Sequence, residues 1–227
     1  MKTAYLRDVT LPFKSNRLLQ AVLAAYTVFW AVMAIEPFNR FNWFLENLLV
    51  FATILVLAVT YRSFALSNWS YLLIAVFLSL HTFGANYSYN TTPLDSWLRE
   101  LFHTERDGYD RIVHFSYGLL LAYPIRELFV RTVGQIGFWA YAMPVVFVLA
   151  SGAFYELIEM WVAFIVAPEI GTLFLGTQGD PWDTQHDIEL ALYGAVIAMM
   201  LTAAAAGGGR KGGAVTESCK KGDVPKP

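Results

Sequence analysis

Cysteine is nearly missing from this sequence: Cys219 is the only one among 227 residues. It has no partner for an internal disulfide, which excludes an oxidative framework. Charge is also sparse. Lysine, arginine, aspartate and glutamate make up 15% of the chain, where a soluble domain carries about 25%. The formal net charge is −2, which argues neither for nor against nucleic acid. No clear internal repeat is present. No Ser–His–Asp or Cys–His arrangement is apparent, and Ser151, near Glu156, stands beside Gly152 as in a close-packing pair.

What the chain has in excess is apolar. Hydrophobic residues make up 56% of it, and the mean hydropathy is +0.46. They are gathered into long runs, so the expected fold is all-α: a polytopic helical bundle in a membrane. Six spans are expected, at Leu18–Ile35, Trp43–Tyr61, Trp69–Asn86, Ile112–Val130, Phe138–Val166 and Ile188–Ala206. The first is too long for the h-region of a signal peptide, about 7–15 residues, and reads as a retained span. Pro124 is expected to break the fourth near its end. Asp95–Phe102 is expected as a short surface helix. Residues 1–17 form an N-terminal segment, 18–206 the membrane domain, and 207–227 a Gly- and Lys-rich tail expected to be disordered.

Lysine and arginine set the expected orientation. With the N-terminus inside, Lys2, Arg7, Lys14, Arg17, Arg62, Arg126, Arg131, Arg210, Lys211, Lys220, Lys221 and Lys226 lie inside, and Arg40, Arg99, Arg106 and Arg111 outside. Both termini are therefore expected in the cytoplasm of a multi-pass protein of a bacterial cytoplasmic membrane. The lipid bilayer is the expected partner, and no nucleic acid is. His81, Asp110, Arg111, His114, Glu156, Glu159 and the polar insert Gly176–Asp187 (GTQGDPWDTQHD) all fall on the outer side near one depth.

Those residues have spacings that suit a site. Asp110 and His114 are i,i+4 and share a helix face, as do Glu156 and Glu159 at i,i+3. Asp183 and Asp187 are i,i+4 if a helix has begun there. Acids inside a span are expensive and default to function. Six carboxylates at one depth (Asp110, Glu156, Glu159, Asp180, Asp183, Asp187) repel by roughly 3 kcal/mol per pair at about 6 Å and an effective dielectric of about 20. Protonation, Arg111 or a divalent cation would relieve this. Oxygen ligands suit magnesium, calcium or manganese, and one or two imidazoles shift the preference toward manganese, iron or zinc. Such a cation would activate water or polarise a phosphoryl or acyl group.

The expected metal ligands are Asp110, His114, Asp187, His81 and Asp180. Glu156, Glu159 and Asp183 are the expected acid/base groups, and Arg111, Gln178 and Gln185 the expected substrate contacts. Bland readings stand beside these. Asp180-Pro181-Trp182-Asp183 also reads as N-cap, proline at N1 and acidic N3 of the last span. Asp110 also complements a helix N-terminus, and His114 with Tyr117 also fits plain packing.

HTFGANYSY, YDRIVHFSYGLLLAYPIRE, YELIE and FLGTQGDPWDTQHD resemble the YjdF-type family of bacterial inner-membrane proteins, over roughly residues 15–205. A more distant likeness is to VanZ-like membrane proteins. It rests on Asp110-Arg111-Ile112-Val113-His114-Phe115, a later Glu156 and Asp187 opening the last span. Where those proteins carry an Asn after that Asp, this chain has Tyr193-Gly194. The resemblance implies a membrane location and marks the same polar residues; it implies no reaction. A metal-dependent hydrolase or transferase acting on a lipid-borne or envelope substrate leads. A proton-coupled transporter using Glu156 and Glu159, and a non-catalytic scaffold, are the alternatives.

Overall fold

The first three apolar runs each begin at a side chain that caps a helix. The Asn16 side chain accepts from the amide of Leu19, Asn39 from those of Phe41 and Asn42, and Ser67 from that of Ser70. Each satisfies amides that the first helical turn leaves without a partner. The helices that follow are α1 (Arg17–Met33), α2 (Arg40–Thr60) and α3 (Asn68–Asn86). Next come α4 (Asp95–Phe102), α5 (Tyr109–Thr132), α6 (Trp139–Ile165), α7 (Pro168–Leu175) and α8 (Asp183–Lys220), and a 3₁₀ turn at Phe13–Ser15 precedes α1. The computed structural model describes residues 6, 8–89, 91–103, 107–175 and 180–220, and only the backbone at 102, 173 and 207–220.

All six expected spans are helices, and the described residues contain no strand. Arg40–Thr60, Trp139–Ile165 and Asp183–Ala206 are each long and apolar enough to cross a membrane, and Arg17–Met33 is apolar but shorter. α3 and α5 do not reach that standard, for a reason seen in the packing. α3 lies against α1, α2 and α5, and α5 lies against α3, α6 and α8. Their polar side chains, among them Asn68, Ser70, His81, Thr82 and Ser116, are buried between helices. They therefore face protein, where polarity is tolerated. α2 instead turns Phe44, Leu48, Phe51, Leu55 and Val59 outward.

Two details depart from expectation. Pro124 does not end its helix: it is buried inside α5, which continues to Thr132. Prolines are tolerated in membrane helices because neighbours re-satisfy the freed carbonyl. α7 is an addition to the expected elements: its eight residues follow the fifth span at once and are too few to form a span of their own. Of the expected tail, residues 221–227 lie outside the described residues, and the backbone of 207–220 continues α8.

The core has two parts. Tyr26, Val50, Ile74, Phe77, Tyr109 and Val113 join α1, α2, α3 and α5. Ala122, Val148, Ala191, Ala195 and Met199 join α5, α6 and α8. The second part is built from small residues, which in lipid gain close dispersion contact where no water is left to expel. Its tightest point is the crossing of α5 and α8. A Cβ on Gly118 would meet the backbone of Ala191 and Ala195, and one on Gly194 would meet that of Phe115 and Leu119. Asp110 and His114 meet Asp187 before this crossing, and Ala122 clusters with Ala198 and Met199 after it, so the two helices run parallel.

Candidate metal centre and cavity

The start of α5 is fixed from outside the helix. Asp95, the first residue of α4, is buried. Its Oδ1 accepts the amides of Gly108 (3.0 Å) and Tyr109 (3.1 Å), and its Oδ2 accepts the amide and hydroxyl of Thr92. The surface helix thus caps α5 and sets the height of Asp110. The Gly118–Ala191 crossing lies two turns further on and draws α8 against this end of α5. Asp110, His114 and Asp187 meet as a result: one ligand atom of each lies within 4.8 Å of the others. Ligand bonds of about 2.0–2.6 Å span such a gap.

Glu156 of α6 completes the group. It is 8% exposed. Its Oε1 stands 3.6 Å from His114 Nε2, which is itself 3.5 Å from Asp110 Oδ1. That Oε1 is buried and has no hydrogen-bond partner among the described residues. Asp110 and Glu156 thus both approach His114 Nε2 at distances longer than good hydrogen bonds, with Asp187 close to Asp110 and His114. Asp183, one turn before Asp187, is also buried.

Asp180 lies in a separate polar group. Its carboxylate accepts from Arg111 (2.6 Å) and contacts His186 Nδ1 (2.9 Å), and Arg111 stands 3.2 Å from that same Nδ1. Asp180 Oδ1 also accepts the amide of Trp182, the bond that the N-cap reading of the DPWD motif expects. Arg111 is thus held to the approach of α8.

On the other side of Asp110 and His114 is a cavity of about 230 Å³. Glu46, His81, Tyr89, Tyr155 and Glu159 line its polar part, and Leu49, Phe77, Phe154, Ile158 and Phe174 its apolar part. His81 Nε2 donates to the main-chain oxygen of Glu46 (3.0 Å), and its Nδ1 pairs with the Tyr89 hydroxyl (2.5 Å). A carbonyl only accepts, so Nε2 carries the proton. Burial first, and then the Glu46 charge, push the Tyr89 hydroxyl well above its ordinary range, which keeps it protonated. Gly84 makes room for this ring, since a Cβ there would fall 2.5 Å from Tyr89 Cε1. Across the cavity the Tyr155 hydroxyl donates to Glu46 Oε2 at 3.4 Å.

Of the residues expected from sequence, Asp110, His114 and Asp187 come together with Glu156 beside them. Glu159 faces the cavity, one turn from Glu156. His81 lines the cavity with both ring nitrogens engaged, apart from the trio. Gln185 is exposed, and Gln178 lies outside the described residues. The sequence did not mark Glu46, Tyr89 and Tyr155, which line the cavity, or His186, which joins Asp180 and Arg111. For Glu46 a signal existed: Asn39 before Arg40 is a cap, which starts the helix three residues ahead of the expected Trp43 and places Glu46 well inside it.

Residues 18–207 match the model of the family described as predicted membrane protein DUF2238. Over 167 residues the chain is 35% identical to inner membrane protein YjdF of Escherichia coli (strain K12), covering 73% of this chain and 79% of that one. No solved structure matches. These matches agree with the YjdF-type resemblance and do not extend to the VanZ likeness.

Proposed function

The chain belongs to the DUF2238 family of predicted membrane proteins, and from that premise we propose that this inner-membrane protein is a metal-dependent hydrolase or transferase acting on a lipid-borne or envelope substrate. The observation that carries the reading is the convergence of Asp110, His114 and Asp187 from two helices on one point, with the buried Glu156 beside them. Two carboxylates and an imidazole suit manganese, iron or zinc. A divalent charge among them also offsets the repulsion that the acids would otherwise suffer.

In this reading Asp110, His114 and Asp187 would hold the cation, which would supply an activated water. Glu156 would take the proton of the water that adds to the acyl carbon or phosphorus, and Glu159, facing the cavity, would protonate the oxygen that leaves it. Asp183 supports the trio from the first turn of α8. Arg111, already engaged by Asp180, fixes α8 against α5.

Elemental analysis of the detergent-purified protein tests this, beside a Glu156→Ala/Asp187→Ala double variant. Near-stoichiometric manganese, iron or zinc in the native protein, lost from a double variant with the same helical content, supports the centre. Protein that holds no cation after loading with manganese, zinc and magnesium overturns it.

A further inference from the structure

Resting on the metal-centre reading, we propose that the cavity beside Asp110 and His114 receives the apolar chain of a bilayer lipid, which enters sideways between α2 and α6 and presents its polar group to the centre. Three observations carry this.

The cavity is graded along the bundle. On α5, Asp110 and His114 precede Tyr117, and on α6, Glu159 precedes Ser151 when that helix is followed in the same direction across the bundle. On α3, Phe77 lies one turn from His81. Phe77 packs on Tyr117 with ring centroids 5.5 Å apart, and the Tyr117 hydroxyl is 2.6 Å from Ser151 Oγ. These residues close the end away from the acids. A molecule matching this gradient has charge at one end and hydrocarbon at the other.

The volume fits a chain segment and not a whole lipid. About 230 Å³ holds about eight groups of water size at about 30 Å³ each. A headgroup and the remaining chains would lie outside.

The wall has a seam that faces the bilayer. α2 and α6 both line the cavity, yet they share no substantial packing among the described residues; α7 packs on both. The long Tyr155–Glu46 hydrogen bond crosses this seam. Beside it, α2 exposes Leu48 and Leu55, and α6 exposes Phe154, Leu157 and Trp161. Those surfaces suit acyl chains, which supplies the occupant.

The test uses the full chain in lipid nanodiscs and a lysophosphatidylcholine with a diazirine near the middle of its acyl chain. After photolysis, adducts are mapped by peptide mass spectrometry. Adducts are expected on the cavity wall, at Phe77, Tyr117 or Ile158, as well as on lipid-facing Leu55 and Met200. Ile158→Trp and Gly152→Leu fill the cavity from two directions, and a Cβ at Gly152 meets nothing closer than 4.0 Å. In both, cavity adducts should fall by about ten-fold or more, while those at Leu55 and Met200 persist. Adducts confined to the lipid face, or cavity adducts unchanged in both variants, overturn the proposal. Cation content is measured on the same samples. Cavity adducts without a cation sustain the chain site and remove the metal centre, and a cation without cavity adducts does the reverse.

Discussion

Gly118 lies so close to Ala191 that a Cβ on the glycine would stand 1.9 Å from the alanine's main-chain oxygen. No side-chain adjustment relieves a clash with backbone. Gly118→Val should therefore cost about 3 kcal/mol or more and separate Asp187 from His114. Thermal unfolding in detergent should show a drop of several degrees, together with lost cation binding. Gly152→Ala is the contrast: its Cβ meets only ordinary contacts, and relief of helical glycine should add about 0.5–1 kcal/mol.

Glu156→Gln keeps the shape of the side chain and removes its charge. The variant should fold with native yield and bind manganese or zinc about 10–100-fold more weakly, measured by competition with a chelating dye. Unchanged affinity would remove Glu156 from the centre.

Asp95 reaches the centre only through α5. Asp95→Ala leaves the amides of Gly108 and Tyr109 without their acceptor and should cost about 1–2 kcal/mol. Hydrogen exchange should quicken at 108–112, and little change is expected at Gly118 and beyond. Asp95→Asn should recover part of the protection, because its amide oxygen still accepts.

Tyr89 and Gly84 act on the same contact. Tyr89→Phe deprives His81 Nδ1 of its partner in a buried setting, at about 1–3 kcal/mol. Gly84→Ala pushes the Tyr89 ring away. The double variant should lose less than the sum of the two, since both remove one interaction. Full additivity in chemical denaturation would mean that the ring and the glycine act apart.

The Arg111–Asp180 pair is partly exposed, with Arg111 at 34%. Screening makes such pairs weak. Asp180→Asn should change stability by no more than about 1 kcal/mol, a difference that fades in high salt when melting curves are compared.

Much of the fold was legible because membrane spans announce themselves by length and apolarity. Leu18–Ile35 and Phe138–Val166 each lie within two residues of the observed helix. The caps at Asn16, Asn39 and Ser67 explain the boundaries that hydropathy blurs. The candidate site draws on a related signal: Asp110 with His114, Glu156 with Glu159, and Asp183 with Asp187 are costly in lipid and share faces by spacing alone. What was hidden depends on tertiary geometry. Tyr89 reaches His81 only because Ser88 and Tyr89 take positive φ (53° and 57°) and fold the chain back over Gly84. The separation of Asp180 from the trio follows from its hold on Arg111 and His186, which no spacing reveals.

The parallel course of α5 and α8 has one more effect. Both helices start on the same side, so their amino ends stand side by side around Asp110, Asp183 and Asp187. Each end carries roughly half a positive charge from its aligned peptide dipoles. Together they amount to about one positive charge built from backbone alone. The acids are thus partly balanced by the backbone itself, and any negative group brought among them would find the same field waiting.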